Sequence, residues 1–258
     1  MSVADGANVR VEDLPGGVRV VTLVRPGSRN ALTRELLDGL GRAFTPAPEV
    51  RALVVEGEGT AFCAGYDLDC LEADAAVSRP PDIRIQEVLR LLEEHPAPSV
   101  AVVHGAAFGA GCELACACDF RVASADAVFR LPPLKLGIVY APEGIWRVAR
   151  LLGLQRAREM FLTGRTVGAE QARAWGLIDR LEGDPVAASR VLAGELAAAP
   201  QLAMAGTRLT LRKLGRAPLS DADRAELEGL RAEAFRSEDA AEGRRAARER
   251  RPPKFRGR

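Results

Sequence analysis

Two segments of the sequence combine an apolar, strand-like run with a glycine-rich turn, and this arrangement can bind a polarised carbonyl oxygen. The first is 53–68, LVVEGEGTAFCAGYDL, and the second is 100–114, VAVVHGAAFGAGCEL. Small residues after a strand let a ligand approach the backbone, and N–H groups at the start of a helix attract an anion. One N–H group from each segment, meeting at a point, would form an oxyanion hole. Either segment alone is better explained by tight packing of a helix against a sheet.

Glu113 is the side chain of these segments with the clearest potential for acid–base chemistry. It lies three residues after Ala110, so a helix beginning near Gly109 would carry both residues on one face. A carboxylate one turn from an oxyanion donor can remove or return a proton next to a polarised carbonyl. From the residues alone, the simpler explanation is a first-turn glutamate that complements the helix dipole.

Other candidate side chains have ordinary explanations. Glu143 could reach the same site, or it could complement the start of the helix that follows it. Tyr140 could donate a hydrogen bond there. Cys63 lies in the first segment without a histidine nearby in sequence to activate it. No metal site is expected, because the cysteines near position 116 fall in an apolar helix without a histidine-rich partner.

The pattern around these segments alternates short strands with helices. Valines flank the turn Pro15-Gly16-Gly17 and predict an antiparallel hairpin. Thr33 is a predicted N-cap, and a second helix is predicted to end at His95-Pro96. Short strands are predicted at 51–57, 99–103, 120–123, 128–131 and near 177–181, and from Gly144 onward the pattern is mostly helical. This order predicts an α/β body with a helical end.

Composition and charge narrow the class of protein. The chain has 258 residues, of which 47% are hydrophobic and 28% charged, and its 36 basic and 35 acidic residues leave a net charge of +1. This balance predicts a globular protein with no nucleic-acid partner. The Arg-rich tail, 244–258, could bind RNA, but its interspersed glutamates fit a solvated helix face better. We expect no membrane span and, from five cysteines without an export signal, a cytoplasmic location.

In this order and at this spacing, the two segments resemble the enoyl-CoA hydratase/isomerase (crotonase) family. Residues 62–68 are similar to its first oxyanion loop, and residues 105–114 are similar to its second. Residues 25–32, 175–179 and 251–255 are also similar to family segments, so the resemblance covers nearly the whole chain. It implies a crotonase-like spiral of β-β-α units over 1–199 and a helical oligomerisation region over 200–258. It also implies a homotrimer or a dimer of trimers.

The resemblance further implies roles for individual residues. The backbone N–H groups of Tyr66 and Ala110 would hold the thioester oxygen of an acyl-CoA, although the family usually has glycine at the second position. Glu113 would be the acid/base. The coenzyme A moiety would lie beside Arg29, Ala64, Gly65, Asp67 and Leu68, and its adenine and phosphates would meet Lys254 and Phe255 of a neighbouring subunit. No separate cofactor is implied, because coenzyme A is part of the substrate.

One departure from the family pattern affects the expected reaction. Hydratases of the family have a second glutamate in a Pro-Glu pair, whereas here the pair is Pro132-Pro133. One carboxylate is enough to move a proton between two carbons, while hydration also needs an activated water. We therefore expect double-bond isomerisation. The alternatives are hydration by Glu113 together with Glu143, and a non-catalytic relative that binds CoA or RNA.

Overall fold

The computed structural model describes residues 2–4, 8–70, 82–133 and 139–215, and isolated positions between 222 and 256. Its centre is a seven-stranded sheet. The strands lie in the spatial order β1 (Ser2–Ala4), β2 (Val9–Leu14), β3 (Val18–Leu23), β4 (Ala52–Gly57), β5 (Ser99–Val103), β7 (Phe120–Ala123) and β10 (Arg180–Leu181). The pairs β1–β2 and β2–β3 are antiparallel, and from β3 to β10 all neighbours are parallel. The predicted hairpin is therefore confirmed.

A second, three-stranded sheet lies after β5. It consists of β6 (Ala106–Phe108), β8 (Val128–Arg130) and β9 (Thr166–Gly168), with β6 parallel and β9 antiparallel to β8. Each of these strands has only three residues, too few to show a periodic pattern in sequence. Of the three, only β8 is indicated by the sequence pattern.

Seven helices are described, and two of them show the local signals predicted from the sequence. They are α1 (Arg34–Ala43), α2 (Asp82–Glu94), α3 (Ala110–Ala117), α4 (Pro142–Thr163), α5 (Ala169–Trp175), α6 (Pro185–Ala198) and α7 (Gln201–Leu214). The Thr33 hydroxyl accepts a hydrogen bond from the Leu36 N–H at 3.3 Å, as an N-cap should. Helix α2 ends at Glu94, directly before His95-Pro96.

The main sheet separates two apolar clusters, because side chains alternate between the faces of a strand. On one face, Val20, Val54 and Val100 pack against α6 through Leu192, Ala193 and Ala197. On the other face, Val21, Val55 and Ala101 belong to a larger cluster that includes α1, α2 and α3. Strands β4 and β5 are thus buried on both faces, as parallel central strands usually are. Their carboxyl ends provide a rigid base for the two glycine-rich loops.

Helix α7 is less buried than the other helices. None of its residues is fully buried, and Leu211 and Leu214 are 64% and 56% exposed. About half of the region 200–258, predicted to mediate oligomerisation, lies outside the described residues. Within the part of the chain that the structure describes, no helix is both long and apolar enough to cross a membrane.

Candidate active site

The two glycine-rich loops pair with each other beyond the ends of β4 and β5. The Cys63 N–H donates to the Ala106 carbonyl at 3.0 Å, and the Phe108 N–H donates to the Cys63 carbonyl at 3.0 Å. Gly65 has a φ of +105°, and a Cβ at this position would lie 2.8 Å from the Phe108 oxygen and 3.7 Å from the Ala110 nitrogen. Only glycine permits this approach. The first loop therefore lies directly against the start of α3.

Tyr66 and Ala110 are brought to this junction. The Leu32 N–H donates to the Gly65 carbonyl at 2.8 Å, and the Asp67 N–H donates to the Leu32 carbonyl at 3.0 Å, so Tyr66 is held from both sides. Ala110 is the first residue of α3 and is 5% exposed. Amide groups in the first turn of a helix have no acceptor within the helix, so they can bind an external oxygen.

Glu113 lies in the first turn of α3, as predicted, but its surroundings were not predicted. It is 3% exposed, and its Oε2 accepts hydrogen bonds from Gln86 Nε2 at 2.9 Å and Arg147 Nη1 at 3.2 Å. A signal for Arg147 does exist in the sequence. In α4 it stands between the buried residues Gly144 and Val148, where helical periodicity favours an apolar side chain. An arginine at such a position indicates a buried ion pair.

Tyr140 lies at the same junction. A Cβ at Gly109 would be 3.1 Å from the Tyr140 hydroxyl, so this hydroxyl sits against the turn that leads into α3. The ring packs edge-on against Phe161, with the ring centroids 5.4 Å apart. Burial, followed by the charge of Glu113, raises the pKa of the Tyr140 phenol. The phenol is therefore neutral at physiological pH and can donate a hydrogen bond.

Glu143 is exposed to solvent, whereas Glu113 is buried. It is exposed in the first turn of α4 and lines a cavity of about 740 Å³. Gln86 and Arg147 also line this cavity, whereas Glu113 does not. The two carboxylates therefore differ in their contact with solvent.

Pro133 follows a strand that touches the start of α3. The Gly109 N–H donates to the Arg130 carbonyl at the end of β8, at 2.8 Å, and Pro133 is buried three residues later. In the family pattern a Leu-Gly pair follows a few residues after the Pro-Glu pair; its counterpart here, Leu136-Gly137, lies outside the described residues. Proline carries no titratable group, so position 133 supplies no acid here.

The residues expected to lie beside coenzyme A divide into exposed and structural ones. Arg29 is exposed, and its carbonyl accepts a hydrogen bond from the Ala64 N–H at 2.9 Å, which places these two residues side by side. Leu68 is 59% exposed. The Asp67 carboxylate, in contrast, pairs with Arg25 at 3.2 Å, so its side chain organises the loop.

Asn30 is a structural residue whose role the sequence did not reveal. It is fully buried, and its Nδ2 donates to the carbonyls of Glu58 at 2.9 Å and Ala61 at 2.8 Å. Its Oδ1 accepts from the Arg25 N–H at 2.9 Å. With a φ of +57°, Asn30 joins the segment carrying Arg29 to the first glycine-rich loop.

The predicted contribution from the chain end is not placed at this site. Lys254 is exposed, and its backbone N–H donates to the Glu242 carboxylate at 3.0 Å. Phe255 lies outside the described residues. Their predicted contact with coenzyme A was assigned to a neighbouring subunit, so it stays a prediction.

The cysteines behave as buried apolar side chains. Burial raises the pKa of the Cys63 thiol to about 12, which keeps it protonated and a poor nucleophile. Cys112, Cys116 and Cys118 are also buried. Among the residues that the structure describes, no cluster of histidines, cysteines and carboxylates could hold a metal ion.

Comparison with known proteins agrees with the observed fold. The family model described as enoyl-CoA hydratase/isomerase matches residues 13–258. A Mycobacterium tuberculosis protein named "Probable enoyl-CoA hydratase echA6" is 37% identical over 93% of this chain and 96% of its own length. Carnitinyl-CoA dehydratase of Salmonella typhi is 34% identical over 94% of this chain and 96% of its own.

Solved structures give the same result. The crystal structure of an enoyl-CoA hydratase/carnithine racemase from Magnetospirillum magneticum is 28% identical, with a TM-score of 0.89 over 100% of this chain and 97% of that one. An enoyl-CoA hydratase from Mycobacterium smegmatis is 30% identical, with a TM-score of 0.85 over 96% of this chain and 98% of that one. These values confirm the predicted crotonase-like α/β fold.

Proposed function

The chain belongs to the enoyl-CoA hydratase/isomerase family, and from this membership we propose that it moves a double bond within an enoyl-CoA. The reaction passes through an enolate whose oxygen is bound by the N–H groups of Tyr66 and Ala110. Glu113 is the acid/base. The observation that carries the proposal is the meeting of the two glycine-rich loops one helical turn from a buried carboxylate.

The proposed step needs only groups that this chain supplies. The Glu113 carboxylate removes a proton from the carbon next to the thioester carbonyl of a 3-enoyl-CoA, and the electrons of that C–H bond form the dienolate. The two N–H groups stabilise the negative oxygen. Glu113, now protonated, returns the proton to the far carbon, and the product is the conjugated 2-enoyl-CoA. The same carboxylate takes up and returns the proton, so this reaction needs no second acid or base.

The absence of a glutamate at position 133 favours isomerisation over hydration. Hydration requires a water held and activated opposite the acid, which in this family is the work of a second glutamate. Position 133 is proline, so the second glutamate of the family pattern is absent from its place. A single carboxylate supports the proton transfer between carbons.

We propose that the substrate is bound by the residues that the family resemblance implies. The exposed residues Arg29 and Leu68, together with Ala64 and Gly65 of the first loop, would lie beside coenzyme A. Lys254 and Phe255 of a neighbouring subunit would complete the site, in a homotrimer or a dimer of trimers. Coenzyme A enters as part of the substrate, and no other cofactor is proposed.

The experiment compares two substrates of equal acyl length, a 3-enoyl-CoA and a 2-enoyl-CoA, in the wild type and in Glu113→Gln and Glu143→Gln. We expect isomerisation to be faster than hydration in the wild type. Glu113→Gln should reduce turnover by about a hundredfold or more while acyl-CoA affinity is kept. Absorbance reports the conjugated double bond, and deuterium uptake reports proton removal.

Each other outcome favours a named alternative. Fast hydration that is lost in Glu143→Gln would make Glu143 the second acid. Fast hydration that survives this variant would overturn the single-carboxylate argument. Tight acyl-CoA binding without turnover or deuterium uptake would mean a non-catalytic relative.

A further inference from the structure

Arg147 joins two carboxylates that come from different helices. Its Nε and Nη2 atoms donate to the two oxygens of Glu93, at 3.0 and 3.1 Å, and its Nη1 donates to Oε2 of Glu113 at 3.2 Å. The Arg147 and Glu113 side chains are each 3% exposed, and that of Glu93 is 12% exposed. This is a buried, forked ion pair on one side with a single charged hydrogen bond on the other.

Gln86 closes the arrangement into a triangle. Its Nε2 donates to Oε2 of Glu113 at 2.9 Å, and its Oε1 accepts from Arg147 Nη1 at 3.0 Å. Two donors thus converge on the same carboxylate oxygen of Glu113. Hydrogen bonds of this kind fix the orientation of a carboxylate and favour its ionised form.

The charges of the cluster are balanced around Arg147. Burial alone would lower the pKa of the Arg147 guanidinium, but the hydrogen bonds and charge of Glu93, followed by the charge of Glu113, raise it above its usual value. Arg147 is therefore always a cation. Arg150 adds a second cation to Glu93, through Nη2 at 3.1 Å from Oε1. Glu93 thus interacts with two arginines and neutralises the Arg147 charge only in part. The remaining positive potential of Arg147 acts on Glu113.

We infer that Arg147 is a positioning residue, which holds Glu113 as an oriented carboxylate, and that Glu93 sets how strongly it does so. This inference rests on the proposed function, in which Glu113 removes a proton. Arg147 touches no reacting atom in this scheme and acts through Glu113 alone. Without the arginine, a buried glutamate would favour its neutral form and lose its capacity as a base.

The two partners of Arg147 should act in opposite directions on Glu113. Removal of the Arg147 cation raises the pKa of Glu113, because an opposite charge at this distance favours ionisation. Removal of the Glu93 charge leaves the Arg147 field uncompensated, so the pKa of Glu113 falls. Further titratable groups around Glu113 are the phenol of Tyr140 and the thiols of Cys112 and Cys116. None of these changes in the variants below.

The test measures the ionisation of Glu113 directly. Glutamate carboxyl carbons labelled with ¹³C are titrated by NMR, and the Glu113 signal is assigned by its loss in Glu113→Gln. In Arg147→Gln the Glu113 midpoint should move up by about one to three pH units relative to the wild type. In Glu93→Gln the Glu113 midpoint should move down. In Arg147→Lys, which keeps a cation at this position, the midpoint should lie between those of the wild type and Arg147→Gln. Arg84→Gln is the matched control, since Arg84 lies on α2 but pairs with Asp38 and Glu87 at the surface.

A second readout links the cluster to activity. The acid limb of the pH profile for deuterium uptake should move with the NMR midpoint, in the same direction in each variant. Equal midpoints in wild type, Arg147→Lys and Glu93→Gln would overturn the inference, even if Arg147→Gln fails to fold. Absence of deuterium uptake in the wild type would overturn the proposed function alone, because the NMR titration needs no turnover.

Discussion

Gly144 packs directly against the carboxyl group of Glu113. A Cβ at Gly144 would lie 2.8 Å from Glu113 Cδ, closer than carbon atoms tolerate without displacement. Gly144 is in the first turn of α4, whose next turn carries Arg147. Helix α4 therefore constrains Glu113 at two points. Gly144 leaves room for its carboxyl group, and Arg147 binds that group through a charged hydrogen bond.

Gly144→Ala should consequently reduce turnover without unfolding the protein. The added methyl displaces the Glu113 carboxylate, and a shift of a fraction of an ångström in a catalytic group costs roughly tenfold or more in rate. Steady-state kinetics and thermal unfolding measure the two effects. Gly194→Ala is the control, because a Cβ at this exposed site in α6 meets nothing within 4 Å. It should stabilise the protein by about 0.5–1 kcal/mol and leave turnover unchanged. Equal turnover in both variants would contradict the prediction.

His95 should make the protein less stable in mild acid. Burial lowers its pKa from 6.5 to about 4, its Nδ1 accepts from the Ala97 N–H at 3.0 Å, and its Nε2 is buried without a hydrogen-bond partner among the described residues. Because the unfolded chain binds the proton first, the free energy of unfolding falls as pH drops from 6.5 to 4, by about 3 kcal/mol in total. Above pH 6.5 this histidine has no such effect.

The measurement is urea unfolding at several pH values in the wild type and in His95→Gln. Carboxylates also destabilise the protein in acid, so the difference between the two proteins isolates the histidine. That difference should diminish between pH 6.5 and 4. A pH-independent difference for His95→Gln would show that burial does not hold this ring neutral.

The protein should be a homo-oligomer in threes. Helix α7 has no fully buried residue, and Leu211 and Leu214 expose apolar surface that a partner subunit would cover. Light scattering at micromolar concentration should give three or six times the mass of 27.5 kDa. Truncation after Pro200 should give an aggregating protein that binds little acyl-CoA. A monodisperse monomer would contradict the prediction.

Local signals explain which parts of the site could be read from sequence. The helix start at Gly109 and the place of Glu113 in its first turn follow from a strand, a glycine-rich turn and an apolar run, all within fifteen residues. The hairpin at β2 and β3 follows from alternation around a Pro-Gly-Gly turn. These features depend on neighbours in the chain.

The cluster around Glu113 depends instead on tertiary packing. Arg147 is 34 residues from Glu113 and 54 from Glu93, so no spacing rule connects them. Glu143 in this helix is the candidate that the sequence offers, because it is a carboxylate, whereas the side chain that bonds Glu113 is a cation one turn later, Arg147. The crossing of α2, α3 and α4 decides this, and local propensity does not encode it.

The contact between the two glycine-rich loops is made mostly by main-chain atoms of Cys63, Ala106 and Phe108, with one side-chain hydrogen bond between His104 Nε2 and the Gly59 carbonyl at 3.0 Å. Side-chain substitution therefore leaves the main-chain part of the contact in place, provided that the glycines which permit it remain. The main-chain geometry of the loops is thus largely independent of the side chains around them. Changes at positions such as 133 or 147 would alter the chemistry proposed for this site, while the pairing of the two loops stays the same.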